Sequence, residues 1–189
     1  MLGARDPPPL TVSALRQAWF VSLPFPEPTT PASSRAEVFL SYLDFFRDRL
    51  VSKLASLPGG ELRHSRLASG WAPIELVKHL RYVELRWLDW GFEGSDFADP
   101  WADSRDDRWY VAPDETLGDL VAALNIQAAR TRAIVESHDL ADIGKPGERW
   151  GGADPASLER VLFHLLQEYA RHIGQLDIVT ELAGGQVGE

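Results

Sequence analysis

The sequence predicts an all-α fold, a four-helix bundle with a long crossover between its second and third helices. Three observations predict it. Four long stretches return apolar side chains at i, i+3 and i+4, proline and glycine signals mark their ends, and no alternating run reads as a strand. The first helix is expected from Ser34 to Leu57, with Val38, Phe39, Tyr42, Phe45, Phe46, Leu50 and Leu54 on its apolar side and Pro58-Gly59-Gly60 as its stop. The second is expected from Ala72 to Phe92, opened by Pro73 in the first turn, where a missing N–H costs little. The third runs from Glu115 to Ser137 on Leu117, Leu120, Val121, Leu124, Ala128, Thr131, Ile134 and Val135. Asp154-Pro155, read as an N-cap and N1 proline, opens the fourth, which runs to Leu182 before Gly184-Gly185.

The remaining segments set the domain boundaries. Seven of the thirteen prolines fall before residue 34, so residues 1–33 are expected as an extended arm that packs short apolar turns onto the bundle. The bundle spans 34–185, and 186–189 form a tail. Between Glu93 and Asp107 six carboxylates (Glu93, Asp96, Asp99, Asp103, Asp106, Asp107) stand against Arg105, which reads as a solvated loop. That connection is longer than antiparallel neighbours need, so it is expected to cross the bundle and to cover a site.

Composition narrows the function. With 189 residues the chain fits one domain with a sizeable core. No cysteine is present, which excludes disulfides, thiolate metal sites and a cysteine nucleophile, so any metal must be held by His, Asp or Glu. A net charge of −9 without a basic patch argues against a nucleic-acid partner. No apolar run reaches membrane-spanning length and the N-terminus lacks the pattern of a signal peptide, so a cytoplasmic protein without a membrane partner is expected.

Chemistry-bearing residues interrupt the apolar stripes. The seam of the fourth helix through Leu158, Val161, Leu165, Val179 and Leu182 reads Glu168, His172 and Gln175 in its middle, with His164 one turn earlier. In the second helix the stripe Ala72, Leu76, Val83, Trp90 passes through His79 and near Arg86, with Lys78, Arg81 and Glu84 on the face expected to be exposed. His79, Glu168 and His172 on two facing helices would make an open His₂Glu site for a divalent metal, zinc first, with nickel or manganese as alternatives. His164 would be a second-layer donor, an alternative ligand or an edge histidine. Read from the residues alone, two other meanings stand beside this: satisfied core histidines, and a plain i,i+4 Glu–His pair.

At these residues the sequence resembles the DinB-like superfamily. The blocks that carry the resemblance are Trp71-Ala72-Pro73-Ile74-Glu75-Leu76-Val77-Lys78-His79-Leu80 with Val83 to Trp87, and His164 to Asp177; it covers residues 34–185. The resemblance implies a dimeric four-helix bundle that holds a divalent metal through His79, Glu168 and His172. Many members carry His at all three places. Glu at 168 departs from that pattern and is similar to the His, Glu, His set of the mycothiol-dependent maleylpyruvate isomerase.

The implied activity is a transferase or isomerase that uses a low-molecular-weight thiol as co-substrate, with Arg86 as a contact for a substrate carboxylate and a small molecule as partner. A metal-dependent hydrolase and a non-enzymatic metal- or small-molecule-binding bundle are the alternatives. The doublet His138-Asp139 could instead signal a phosphohydrolase, but it stands where the third helix ends, where a histidine suits the helix dipole. Trp101 and Trp109, placed in a polar loop, are expected as a pocket cover or dimer contact.

Overall fold

The computed structural model describes residues 23–185, so the first part of the expected arm and the expected tail lie outside the described residues. Residues 23–33 carry no helix and lie along the first helix, where Phe25 meets Tyr42 and Phe45 edge-on at 5.8 and 5.2 Å. Helix α1 spans Arg35–Ser56. Its N-cap, Ser34, accepts a hydrogen bond from the Glu37 amide, satisfying one of the orphan donors of the first turn.

Helix α2 spans Pro73–Glu84 and continues without a break as a wider π-type turn over Leu85–Phe92. Proline at its first position lacks the N–H that would go unpaired there, and Glu75 reaches back to accept from the Ala72 amide at 2.8 Å. Helix α3 spans Leu117–Ser137, capped reciprocally by Thr116 and Asp119. Helix α4 spans Leu158–Leu182. Its N-cap is Ser157, not Asp154: Ile143 bridges Ser157 in extended conformation, and the Leu158 and Glu159 amides are drawn to the carbonyls of Asp142 and Leu140, which holds the chain extended past Pro155.

Cross-helix pairs give the direction of each helix. Arg35 and Lys53 of α1 meet Glu159 and Asp177 of α4, so these two run parallel. Lys78 near the start of α2 bonds Glu115 just before α3, and Glu84 bonds Thr131 further along, so α2 and α3 are also parallel. His79 of α2 faces His172 of α4 while Trp87 faces His164, so α2 and α4 are antiparallel. The bundle is therefore up-down-down-up. Residues 93–116 must return the length of the bundle between α2 and α3, as the crossover reading anticipated. The expectation of no strand is corrected at one point: this segment holds a two-residue hairpin, β1 Ser104–Arg105 against β2 Arg108–Trp109.

The core contains one carboxylate that touches all four helices. Glu84 is fully buried and accepts from Arg47 of α1 (Nε 2.9 Å, Nη2 2.8 Å), from Thr131 of α3 (2.5 Å) and from the Tyr169 hydroxyl of α4. The expectation that Lys78, Arg81 and Glu84 form an exposed face is thus overturned for two of them. Lys78 is buried against Glu115, and α2 is packed on both sides by α3 and α4, so it presents a broader buried face than a surface helix would. Burial is the largest influence on Arg47 and works against its charge, but Glu84 and its neighbours hold the guanidinium above its ordinary pKa. Burial and the Glu84 charge together push the Tyr169 phenol well above its usual value.

Removing one partner of such a pair leaves an uncompensated buried charge. Glu84→Ala is expected to cost about 3–5 kcal/mol, and Tyr169→Phe about 1.5–3 kcal/mol as a lost hydrogen bond to a charged group. Urea melts would read both as lower midpoints with unchanged slope; a loss under about 1 kcal/mol for Glu84→Ala would show that the carboxylate does not organise the core.

Candidate metal centre

His79 comes from the second turn of α2, Glu168 and His172 from successive turns of α4, and the antiparallel packing of these helices brings them together. One ligand atom from each lies within 4.8 Å of the others, the one cluster of three or more His, Asp or Glu side chains of this kind among the described residues. The two imidazoles meet edge-to-face at 5.0 Å between ring centres. His172 Nε2 stands 3.2 Å from Glu168 Oε2. His164 is outside the cluster, 3.5 Å from the other oxygen of Glu168 and against the Trp87 ring at 4.5 Å, which is a flanking position.

Each histidine is held from behind. His79 Nδ1 is 3.0 Å from Asp103 Oδ2, and His172 Nδ1 is 2.8 Å from Gln175 Oε1. Both partners are oxygen acceptors, an arrangement that suits a proton on each Nδ1 and leaves each Nε2 turned toward the cluster. Burial, the main cause, lowers the His172 pKa below its ordinary value against the opposing hydrogen bond to Gln175, which favours the neutral ring.

Asp103 corrects the reading of 93–107 as a uniformly solvated loop. It is 2 % exposed, and Arg86 grips it with two hydrogen bonds, 2.6 and 3.1 Å. Burial is the largest influence on this carboxyl and opposes its charge; His79 and Arg86 together outweigh it and hold the group below the usual carboxylate range. Arg86 is correspondingly not available as a substrate contact. Its guanidinium is spent on Asp103 and the Pro100 carbonyl, and Trp101 lies over it at 4.3 Å. Arg86 and Asp89 are buried in the π-type turn along with Leu85 and Leu88.

Trp109 covers the triad, stacked on His79 at 4.3 Å and edge-on to His172 at 5.2 Å, while Trp101 stays half exposed over Arg86. The doublet His138-Asp139 joins no ligand cluster. His138 bonds the Ile134 carbonyl at the end of α3, as the helix-end reading expects. Sequence reasoning missed Asp103 and the orienting role of Gln175. The signal for Gln175 was its place in the interrupted seam. None marked Asp103 out from five neighbouring carboxylates. Arg149 was missed as well: it stacks on Trp87 at 3.7 Å, and no hydrogen bond or ion pair engages it among the described residues.

The bundle, its crossover and the His–Glu–His cluster define a DinB-like protein. Residues 38–185 match the profile of the family MST, mycothiol-S-transferase, and the chain belongs to that family. No curated protein and no solved structure matches it. Among the described residues no helix is long and apolar enough to cross a membrane.

Because Asp103 ties the crossover to both Arg86 and His79, Asp103→Asn is expected to loosen that segment. Hydrogen exchange at residues 97–110 should quicken by roughly ten-fold or more, the effect of losing one charge-assisted bond, with the helices unchanged. Unaltered exchange there would show that the hairpin is held by other contacts.

Proposed function

We propose that this chain is a metal-dependent S-transferase that uses a low-molecular-weight thiol, with His79, Glu168 and His172 as the metal ligands. One observation carries the reading. His172 Nε2 stands 3.2 Å from Glu168 Oε2 while its Nδ1 faces Gln175 Oε1, an approach of two lone-pair-bearing atoms that a bound cation or a shared proton would hold together, and His79 completes a ligand set around it. The spacing is also that of a tetrahedral ligand edge, about 3.3 Å for bonds near 2.0 Å. Two imidazoles and a carboxylate suit zinc, with nickel or manganese as alternatives.

A bound divalent ion would supply positive charge that lowers the pKa of a thiol beside it. The chain's own residues do the rest. Asp103 and Gln175 fix the tautomer and aim of the two rings, a role whose loss typically weakens metal binding 10- to 100-fold. Glu168 offsets part of the ion's charge, and Trp109 shields one face of the cluster from water. His79, Glu168 and His172 would hold the ion and, being three, would leave it open to a thiol. The thiol would give its proton to solvent or a neighbouring base, and its sulfur would bond to an electrophilic carbon as that carbon's bond to a leaving group, or the π bond of an activated double bond, breaks and the displaced electron pair takes up a proton.

Untagged protein should carry one metal per chain by elemental analysis, and Glu168→Ala or His172→Ala should abolish it while circular dichroism keeps the helix content. Full metal retained in both variants would sink the ligand assignment. Asp103→Asn should raise the metal Kd by roughly 10- to 100-fold. Turnover that depends on added thiol would separate the transferase from a metal-dependent hydrolase, and loadable protein inert with every thiol would favour a binding bundle.

A further inference from the structure

The connection from α3 to α4 carries an unmatched positive charge up to the flank of the triad. Its short helical turn, Glu148–Trp150, is anchored by the Trp150 indole, whose Nε1 donates to the Lys145 carbonyl at 2.8 Å. Two glycines let this connection press against the end of α2. A Cβ at Gly91 would stand 3.1 Å from the Arg86 carbonyl oxygen and 3.2 Å from Arg149 Cγ, and one at Gly144 would stand 3.0 Å from Phe92 Cα and 3.1 Å from the Trp150 ring. Arg149 is thereby laid along α2, its guanidinium carbon 3.7 Å from the centre of the Trp87 ring. His164 meets the same indole at 4.5 Å and stands 3.5 Å from Glu168, so the guanidinium and the flank of the triad share one ring.

Stacking satisfies the face of a guanidinium but none of the N–H donors in its plane. For Arg149 no hydrogen bond or ion pair meets those donors among the described residues, and its Nε is buried. Asp103 answers the neighbouring Arg86, whereas Arg149 keeps its charge beside that like charge without a carboxylate of its own. A half-buried cation left in this state is costly, and an incoming anion offsets the cost. The donor set selects the anion. Arg86 is committed to Asp103 and Lys145 faces Glu93, so the site offers one planar fork rather than the several donors that hold a phosphate. A carboxylate matches such a fork through two parallel bonds. The chain's net charge of −9 repels anions in general, so a preference for one has a local origin.

We propose that Arg149 is the recognition site for a carboxylate on the electrophilic substrate, holding it beside Trp87 so that the rest of the molecule lies toward the triad across His164. That the bound acid is the molecule a thiol attacks rests on the function proposed above; the carboxylate site itself does not.

The test is calorimetric titration of the protein as purified, without thiol, with 4-chloro-3-nitrobenzoate and with the corresponding neutral amide. The acid should bind roughly ten-fold or more tightly than the amide, the worth of one charge-assisted pair. Arg149→Met keeps an apolar stem on Trp87 and removes the charge; it should erase the preference while the amide's affinity, the circular dichroism and the metal content stay as they are. Arg149→Lys, which keeps the charge but not the fork, should retain part of it. Absent acid binding, or equal binding of acid and amide, would overturn the proposal. So would an acid preference that survives Arg149→Met, since the carboxylate would then rest on a metal ion or another cation. In turnover with 2-mercaptoethanol, Arg149→Met should raise KM for the acid with little change in kcat and leave the amide unaffected; an equal rise for both would mark a merely structural role and overturn it. Because the titration involves neither thiol nor turnover, a protein inert in thiol transfer can still uphold the carboxylate site, and an active transferase that fails the titration loses only this inference.

Discussion

A single buried carboxylate sets the register of the bundle. Taking Glu84 out of water is tolerable only if all its lone pairs are met, and the partners that meet them come from each of the other three helices. Hydrophobic faces can slide by a turn at modest cost; a carboxylate whose two oxygens accept from four fixed donors cannot. This aligns the metal-ligand candidates too. Tyr169 directly follows Glu168, and Glu84 lies five residues beyond His79, so the contact that aligns Tyr169 with Glu84 also brings Glu168 and His172 level with His79.

The polar interior is layered from that anchor outward. Arg47 answers Glu84, Arg86 answers Asp103, and Arg130 with Gln127 answers Asp89, so most charge drawn into the bundle is neutralised by a partner from another element. Asp103 differs from the others because it serves two masters, a guanidinium and an imidazole. Through it the crossover is tied to a metal-ligand candidate by a short, charge-assisted contact rather than by packing alone. Arg149 departs from this neutrality among the described residues. Its guanidinium rests on Trp87, and burial, with Arg86 nearby, lowers its pKa from the usual value.

The sequence made the helices and the triad legible because both are local statements. A 3.6-residue period shows as apolar spacing, and a His or Glu placed on that period shows as an interruption. What it hid depends on partners far along the chain. Glu84 looks like any solvent-facing glutamate until Arg47, Thr131 and Tyr169 are brought around it, and Thr131 passed as an ordinary member of the apolar stripe. Asp103 is one of six acids in a polar stretch, and only the three-dimensional position of Arg86 selects it. The start of α4 was misplaced for the same reason: Asp154-Pro155 is a sound local cap, overridden by the backbone bonds that Leu140 and Asp142 offer to the first turn.

The triad and the loops that flank it are built differently. The triad sits on two long helices locked by a buried charge, where a shift of one ligand would disturb the whole core. The loops beside it are built otherwise, from a hairpin tip, a left-handed glycine and a loop tryptophan, none of which supports the Glu84 network. Substitutions at 70, 71, 107 or 108 therefore leave the metal-ligand candidates in register, whereas Trp109, packed on both histidines, cannot change without touching them.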